Sequence, residues 1–409
     1  MKTLEELGRL SNAAGTSGDL SVAPTGIAYD SRQIRPGDLF VALRGGYFDG
    51  HAFLEEAIHR GAVAIAAEIA HPHAPSLVYK DMRTSLPTLS AAFFGFPARE
   101  LRLVGITGTD GKTTTSYLAE WILARNGATT GMIGTVTVKI GEERIDHSAR
   151  QTTPESLDIQ RYLAQMRDAG VEWAVLEATS HGLAAHRLDE LTFAIGAVTN
   201  VTHEHLEFHG TIDAYRRAKA SLVERVAASG GYAVLNLDDP VSRSFQEVAV
   251  GANVLTYSRL DTSASISALN VVSDVTGSRF DIACDWGTRS VRMPFPGEFN
   301  VENALCATSI GLAANVELEL IGEALETVPL VPGRMVRVDE GQPFTVIVDY
   351  AHTPESLEKI LLLLRRFTDQ GRVICVSGSA GERDTEKRPM QGEISARLSD
   401  FSIFTTEDP

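Results

Sequence analysis

The chain has 409 residues, a hydrophobic content of 44% and a charged fraction of 22%, which are ordinary for a globular protein and argue against long disorder. Its net charge of −16, without a visible basic patch, disfavours nucleic-acid partners. Three widely spaced cysteines, an N-terminus without a signal peptide and the absence of long apolar runs favour a cytoplasmic protein that does not insert into membranes.

The pattern predicts an α/β protein of about three domains, taking roughly 150 residues per domain. Residues 1–96 predict a small α/β domain. Residues 97–330 predict a central phosphate-loop domain with a parallel sheet, resembling an ATPase, and an antiparallel insert at residues 266–293. Residues 331–409 predict a Rossmann-like domain that ends directly after a strand at residues 401–404, so we expect this domain to be truncated.

A phosphate-binding loop is the strongest single motif of the chain. An apolar strand at residues 103–107 leads into a small-residue segment and then a helix, so that backbone N–H groups and the helix N-terminus converge on phosphate. Within it, Lys112 supplies positive charge and Thr113 a hydroxyl for magnesium. Ile106 occupies the place of the usual first glycine, which makes the spacing a variant. The loop is Gly108-Thr109-Asp110-Gly111-Lys112-Thr113-Thr114.

Three apolar strands are predicted in the central region, at residues 173–176, 194–198 and 233–237. Polar residues follow each of them, namely Glu177, residues 200–205, and Asp238 with Asp239. Since ligands of parallel sheets gather at the carboxyl ends of the strands, these groups are candidates for the site. Glu177 is favoured as a metal ligand over a solvated loop carboxylate.

The pattern around Lys219 allows two interpretations. Lys219 lies on the apolar stripe of a predicted helix. This spacing by itself favours a lysine that snorkels to water, although a buried lysine that loses its proton readily is the alternative. The other members of the stripe are Ile212, Tyr215, Leu222 and Val226.

Two polar clusters remain open on spacing alone. His203, His205 and His209 suit zinc, but magnesium prefers oxygen donors, so that structural and ligand roles are equally supported. Arg383 and Lys387 lie in a small-residue loop after a strand, where the alternatives are an exposed charged loop and recognition of an anionic or zwitterionic substrate.

Taken together, the motifs resemble the Mur ligase family, most closely its tripeptide-synthetase branch, over nearly the whole chain. The N-terminal mark is Asp30-Ser31-Arg32, followed by residues 36–43 and 49–51. The resemblance implies that Ser31 contacts the UDP moiety. It also implies that Thr152, Thr153, Ser180 and Arg187 bind the muramoyl substrate.

The same resemblance implies an ATP and magnesium site. Lys219 matches a lysine that is carbamylated in the family, and Glu177 and His205 match the other ligands of a second magnesium ion. Thr113 would serve the ATP-bound ion. The positions matching nucleotide contacts are Asn303, Arg334 and Asp349, and Lys112, Glu177, His205 and Lys219 are the expected catalytic set.

The tail departs from the family pattern. Arg383 matches a residue that binds the incoming amino acid. Asp408 lies in Glu407-Asp408-Pro409, where diaminopimelate-adding members carry Asp-Asn-Pro-Arg. Diaminopimelate, lysine and ornithine therefore all remain open as the amino acid added. Gln151 replaces the usual Asn before Thr-Thr-Pro, a milder change in the substrate site.

The implied activity is ATP-dependent addition of a diamino acid to UDP-N-acetylmuramoyl-L-alanyl-D-glutamate through an acyl phosphate, by a monomer. One alternative is another amide ligase of the superfamily, such as a folylpolyglutamate or cyanophycin synthetase, against which the N-terminal motif and Thr152-Thr153-Pro154 argue. The second is a nucleotide-binding protein without ligase activity.

Overall fold

The computed structural model describes residues 1–45, 49–146, 151–202, 206–368, 370–380 and 385–407. The strands in these residues are β1 (Gly15–Ser17), β2 (Gly26–Ala28), β3 (Asp38–Val41), β4 (Ala64–Ala67), β5 (Ser76–Val78), β6 (Arg102–Thr107), β7 (Thr130–Ile133), β8 (Thr137–Ile140), β9 (Glu143–Asp146), β10 (Trp173–Glu177), β11 (Phe193–Val198), β12 (Tyr232–Asn236), β13 (Asn253–Ser258), β14 (Ile266–Asp274), β15 (Gly277–Cys284), β16 (Gly287–Met293), β17 (Val336–Val338), β18 (Val346–Val348), β19 (Ile374–Ala380) and β20 (Phe401–Glu407).

The α-helices in the same residues are α1 (Leu4–Leu10), α2 (Leu54–His59), α3 (Met82–Phe94), α4 (Lys112–Arg125), α5 (Ser156–Asp168), α6 (Ser180–Ala184), α7 (Leu206–His209), α8 (Ile212–Ser229), α9 (Ser242–Val248), α10 (Glu298–Ala313), α11 (Leu318–Thr327), α12 (Pro354–Arg366) and α13 (Lys387–Leu398). None of them is long and apolar enough to cross a bilayer, within the residues described.

The molecule consists of two compact units. The first comprises Met1–Gly105, Ala128–Gly196 and Ala218–Gly231, and the second comprises Ile106–Gly127, Ala197–Arg217 and Tyr232–Pro409. Strands β6 and β11 and helix α8 each have residues in both units. The domain boundaries proposed from the sequence, near residues 96 and 330, stay predictions.

A five-stranded sheet in the order β1-β5-β4-β3-β2 forms the N-terminal part of the first unit. Neighbouring strands run parallel except for β1 and β5. Leu39 and Val41 of β3 belong to one apolar cluster, while Phe40, between them, belongs to a second cluster. Because successive side chains point to opposite faces, these strands are covered on both sides, as parallel sheets require.

The rest of the first unit combines parallel and antiparallel pairing. Strand β10 pairs in parallel with β7, with Trp173 opposite Thr130. Strands β7, β8 and β9 then form an antiparallel meander that the sequence pattern did not indicate. Leu157 of α5 joins the apolar core under β3, which brings α5 onto α3.

In the second unit, strands β12 to β14 pair in parallel and strands β14 to β16 pair antiparallel. Strand β12 pairs in parallel with β13, and β13 pairs in parallel with the start of β14. Strands β14, β15 and β16 then form antiparallel hairpins, as predicted for residues 266–293. Helix α10 packs against α4, and this contact brings the phosphate-loop helix and residues 298–313 together.

The C-terminal segment of the second unit holds two small sheets and two helices. Strands β17 and β18 pair antiparallel, and β19 and β20 pair in parallel. Thr353 caps α12, and Pro354 at its first position fits the helix start. The predicted loop around Lys387 is wrong at that residue, because Lys387 is the first residue of α13.

Candidate active site

The phosphate loop lies between β6 and α4, and its two glycines cannot be replaced without conflict. Gly108 and Gly111 have φ angles of +152° and +84°, a range that favours glycine. A Cβ at Gly108 would overlap the Thr199 hydroxyl, and a Cβ at Gly111 would overlap the Asn303 side-chain oxygen. The loop backbone therefore approaches both neighbours as closely as a residue without a side chain permits.

Asn200, just after β11, holds the loop in place. Its carbonyl accepts the Thr109 N–H at 2.8 Å, and its side-chain oxygen accepts the Asp110 N–H at 2.9 Å. The Thr109 hydroxyl also lies 2.8 Å from the Tyr215 hydroxyl. The segment after β11 thus meets the phosphate loop, as the strand-end argument predicted for residue 200. Of that segment, residues 203–205, which include His203 and His205, lie outside the described part of the chain.

Two cationic groups converge on the loop. Lys112 donates from Nζ to the carbonyls of Gly108 (2.9 Å) and Thr109 (2.7 Å), and so lies over its own loop. Arg334 donates from Nη2 to the Thr113 hydroxyl at 3.1 Å. Positive charge at a helix N-terminus with glycine-rich backbone is the arrangement expected of an anion site.

A cleft of about 770 Å³, partly open to solvent, adjoins this loop in the second unit. Seven of its lining residues were candidates from the sequence: Asp110, Gly111, Thr114, Asn200, Asn303, Arg334 and Asp349. The others were not assigned a role there, and they are Thr199, Tyr257, Phe299, Asn300, Glu302, Met335, Tyr350, Ala351, His352, Ser356, Lys359 and Ile360.

Part of this lining had a signal in the sequence. One face of α10 carries Phe299, Asn300 and Asn303, because residue 303 follows residues 299 and 300 by four and three positions, about one helical turn. Tyr257 and Lys359 come from β13 and α12, and no local spacing connects them to the loop. Three aromatic rings among the lining residues provide flat apolar surface beside polar groups.

The acidic groups of the cleft are held partly out of water. Burial raises the pKa of Asp349, although a hydrogen bond from the Met335 N–H (2.8 Å) and the charge of Arg334 oppose this. Burial likewise raises the pKa of Glu302, against a hydrogen bond from Arg259 Nε at 3.2 Å. Both carboxyl groups are therefore more easily protonated than in water.

Two further groups at the cleft, Lys359 and Tyr257, have raised pKa values. Burial lowers the pKa of Lys359, but its ion pair with Glu355 (2.7 Å) and the charges of Asp110 and Glu302 together outweigh burial, so that the pKa is raised and the ammonium is retained. Burial raises the pKa of Tyr257 well above its ordinary value, and its hydroxyl donates to the Val198 carbonyl at 3.1 Å. Tyr257 is thus a neutral hydrogen-bonding group.

Glu177 ends β10 in the first unit, and its side chain is 2% exposed. The Thr135 N–H and hydroxyl donate to its two carboxylate oxygens at 2.9 and 3.0 Å. A Cβ at Gly134 would overlap one of those oxygens, so the backbone of residue 134 lies directly against the carboxylate. The solvated alternative for Glu177 is excluded by this burial.

The predicted muramoyl turn lies against the end of β10, in the same unit. The Thr153 hydroxyl donates to the Glu177 carbonyl at 2.7 Å, and Thr152 accepts from the Thr135 hydroxyl at 3.1 Å. Arg187 donates from Nη1 to the Thr153 carbonyl at 2.9 Å. The structure thus brings Thr152, Thr153 and Arg187 into one hydrogen-bonded group.

Ser180 and Ser31 are placed by short helical turns. Ser180 is buried and begins α6, directly after Thr179, which caps that helix and donates from its hydroxyl to the Thr153 hydroxyl at 2.9 Å. Ser31 is buried at the first position of a short 3₁₀ turn that is capped by Asp30. A hydrogen bond from Arg32 lowers the pKa of Asp30.

Lys219 is 1% exposed on α8, so the prediction that it snorkels to water is wrong. Its stripe partner Tyr215 is equally buried, which confirms the stripe itself. His205, Arg383 and Asp408 lie outside the described residues. Within the described residues no group of three or more His, Cys, Asp or Glu side chains is arranged to hold a metal ion.

Comparison with known proteins gives matches along most of the chain. Family models match as the Mur ligase middle domain over residues 106–311, the Mur ligase glutamate ligase domain over residues 333–409, and the Mur ligase family catalytic domain over residues 24–93.

Relatives and solved structures agree with these matches. The UDP-N-acetylmuramyl-tripeptide synthetase of Roseiflexus sp. is 48% identical over 94% of this chain and 78% of its own length. The UDP-N-acetylmuramoyl-L-alanyl-D-glutamate–2,6-diaminopimelate ligase of Bacillus licheniformis is 40% identical over 100% of this chain and 84% of its own length. A solved structure of such a diaminopimelate ligase superposes with a TM-score of 0.76 at 28% identity, over 100% of this chain and 83% of that one.

Proposed function

The chain belongs to the Mur ligase family, and we propose that it is the ATP- and magnesium-dependent ligase that adds a diamino acid to UDP-N-acetylmuramoyl-L-alanyl-D-glutamate in peptidoglycan synthesis. The protein works in the cytoplasm as a monomer. The observation that carries the proposal is the phosphate loop with Lys112 and Thr113 in a chain that is 40–48% identical to tripeptide-forming ligases over nearly its whole length.

ATP occupies the cleft of the second unit. The loop N–H groups and Lys112 bind the phosphates, and Arg334 lies 3.1 Å from Thr113 at the same helix start. Asn303 and Asp349 line the same cleft, together with aromatic rings suited to the base. This combination of anion site and apolar cleft supports a nucleotide over a simple phosphate.

The UDP-sugar dipeptide binds to groups of the first unit. Ser31 contacts the UDP moiety, and Thr152, Thr153 and Ser180 bind the muramoyl peptide. Arg187 supplies a fork of N–H donors that suits a carboxylate of the dipeptide. The support for this assignment is the hydrogen-bonded group that joins Arg187, Thr153 and the end of β10.

The donor set fits magnesium. Thr113 offers a hydroxyl to the ATP-bound ion, and Glu177 offers a carboxylate to a second ion. Oxygen donors are those that Mg²⁺ prefers. Lys219 as an ammonium cannot be a ligand, and we propose that it is carbamylated, which turns it into an oxygen donor. His205 completes this set. Bound magnesium would neutralise charge on the phosphoryl oxygens.

The reaction has two steps. A carboxylate of the dipeptide attacks the γ-phosphorus of ATP, the bond to the β-phosphate oxygen breaks, and an acyl phosphate and ADP result. Lys112 stabilises the charge that develops on the transferred group. The amine of the diamino acid then attacks the acyl carbon, loses a proton and expels phosphate. Arg383 and Asp408 are assigned to that amino acid.

Phosphate release tests the proposal. The purified protein is incubated with ATP, Mg²⁺ and the UDP-sugar dipeptide, and diaminopimelate, lysine or ornithine is added in turn. We expect release that depends on both the dipeptide and one of the amino acids, with the tripeptide product identified by its mass. Release that needs neither would contradict ligase activity and favour a nucleotide-binding protein without it.

Two further measurements test the mechanism. Lys112→Ala removes the positive charge that stabilises the transferred phosphoryl group and is expected to lower kcat by about 100-fold or more, with the circular dichroism spectrum unchanged. Single-turnover trapping should yield an acyl phosphate on the dipeptide. ADP formation without that species would contradict the two-step reaction.

A further inference from the structure

We propose that Glu155 is a positioning residue for the UDP-sugar dipeptide, because its carboxylate fixes Arg187 at the Thr152-Thr153 turn and joins it to Arg83. The inference rests on the proposed function, in which Arg187 binds a carboxylate of the dipeptide. Glu155 has no contact with substrate in this proposal and acts through Arg187.

One carboxylate is shared between two guanidinium groups. Glu155 Oε1 lies 3.0 Å from Arg187 Nη2, and Oε2 lies 2.8 Å from Arg83 Nη1. The side chains of Glu155 and Arg187 are both 13% exposed. Two arginines this close repel each other unless an anion lies between them, so Glu155 makes the arrangement possible.

Arg187 depends on few partners for its orientation. Its Nη1 donates to the Thr153 carbonyl and its Nη2 contacts Glu155, while its Nε has no hydrogen-bond partner among the residues that the structure describes. Without Glu155, the bond to a turn carbonyl would be the only hydrogen bond with a described residue to fix the guanidinium plane. A fork of donors has to be oriented before it can bind a carboxylate in register.

The position of Glu155 in the chain supports a role outside helix formation. It is the N-cap residue of α5, but its side chain makes no capping hydrogen bond. Ser, Thr, Asp and Asn are preferred there, and Asp81 and Thr179 do cap α3 and α6. The Glu155 carboxylate contacts Arg187 and Arg83 instead of the first turn of α5.

Glu155 is also the middle member of a longer chain of contacts. Arg83 donates from Nη2 to the Arg44 carbonyl at 3.1 Å, near the 49–51 motif of the N-terminal sheet. On the other side, Arg187 leads through Thr153 to the Glu177 carbonyl. These contacts therefore link the segment at Arg44 to the Thr152-Thr153 turn, which the proposed function assigns to the dipeptide.

Glu155→Gln is the main test, because glutamine keeps the size and one acceptor oxygen but removes the charge. We expect the KM for the UDP-sugar dipeptide to rise by about 10- to 100-fold, while the KM for ATP changes less than twofold. Glu190→Gln is the matched control. The Glu190 carboxylate also joins α3 to the segment after α6, because it accepts from the Thr88 hydroxyl at 3.0 Å, and it has no arginine partner among the described residues. The KM values of Glu190→Gln should therefore stay unchanged.

A double-variant cycle separates positioning from a general structural role. If Glu155 acts through Arg187, then Glu155→Gln combined with Arg187→Met should have the same KM for the dipeptide as Arg187→Met alone, within about twofold. Additive effects of the two changes would overturn the proposal, and so would an unchanged dipeptide KM in Glu155→Gln.

Misfolding and failure of the proposed function are distinguished in the same experiment. Circular dichroism and nucleotide affinity of each variant report on folding, and a Glu155→Gln protein that loses both contradicts a role confined to the substrate. A wild-type protein that does not use the dipeptide contradicts the proposed function. If the wild-type protein uses the dipeptide and Glu155→Gln has the same KM for it, only the role of Glu155 is contradicted.

Discussion

Asp349 links nucleotide binding to the pH dependence of stability. Burial raises its pKa in the folded protein, so the folded state binds the proton more tightly than the unfolded chain. The stability that this proton contributes is complete below the unfolded pKa and is lost as the pH rises through the folded pKa. Asp349→Asn should therefore gain stability relative to the wild type as the pH rises above about 4, the ordinary pKa of an aspartate, while nucleotide affinity falls.

Urea unfolding midpoints at several pH values provide the measurement. Asp400→Asn is the opposite control, because its hydrogen bond with Arg365 lowers the pKa of Asp400 in the folded protein. That carboxylate stabilises the fold fully above its unfolded pKa, so this variant should lose stability relative to the wild type as the pH rises towards about 4 and keep a constant deficit above it. If the stability of both variants relative to the wild type changed with pH in the same direction, the opposite pKa shifts of Asp349 and Asp400 would be contradicted.

The three cysteines differ in their environment, which predicts different reactivity. Cys306 is fully buried, and burial raises the pKa of its thiol to about 12. Cys284 is half-buried on β15, and Cys375 is buried. Since the thiolate is the reactive form, a native sample at about pH 8 should be alkylated first at Cys284, and at Cys306 only after unfolding. Peptide mass spectrometry distinguishes the sites, and fast labelling of Cys306 in the native protein would contradict its burial.

At the scale of the element, the turn between β6 and α4 predicts a selective loss. Gly111→Ala adds a Cβ that overlaps Asn303 in a left-handed backbone, whereas Gly141, with φ +59°, has no atom within 4 Å of such a Cβ. Both changes cost about 1 kcal/mol of backbone strain. Only Gly111→Ala should also weaken nucleotide binding, by about 100-fold. Isothermal titration with an ATP analogue measures this affinity. If Gly111→Ala and Gly141→Ala bound the analogue equally well, the close approach of the Gly111 backbone to Asn303 would not matter for nucleotide binding, and the prediction would be refuted.

The sequence predicted those elements whose residues all support one structure. Strands β10, β11 and β12 are continuous apolar runs between helical patterns, and their structure agrees with that pattern. The strands β1, β2 and β5 have three residues each, too few for a period to be visible. Helix α13 was not predicted because Pro389 and Gly392 weaken its pattern.

The candidate site shows the same division. The phosphate loop is contiguous, and its strand, glycines, lysine and helix were all visible in the sequence. Lys219 was placed on the right stripe, but whether its ammonium reaches water depends on what packs over the stripe, which spacing does not contain. Tyr257 and Lys359 reach the cleft only through the packing of β13, α10 and α12.

At the scale of the whole molecule, the proposed ligand sites are divided between the two compact units. The phosphate loop and the nucleotide cleft consist of residues of the second unit, and the Thr153 group with Glu155 and Arg187 consists of residues of the first. Each ligand alone should therefore stabilise its own set of backbone hydrogen bonds, because a ligand that binds only the folded form of a segment opposes its opening.

Hydrogen exchange with one ligand at a time measures this division. At 100 times its Kd, a nonhydrolysable ATP analogue should slow exchange by up to about 100-fold at residues 108–114, 299–303 and 333–350. The UDP-sugar dipeptide should do so at residues 151–155 and 180–187. Gly111→Ala is the control, because it should abolish the first pattern and leave the second intact. If either ligand alone protected both sets equally, the two sites would be coupled before the reaction begins, and the division by unit would be refuted.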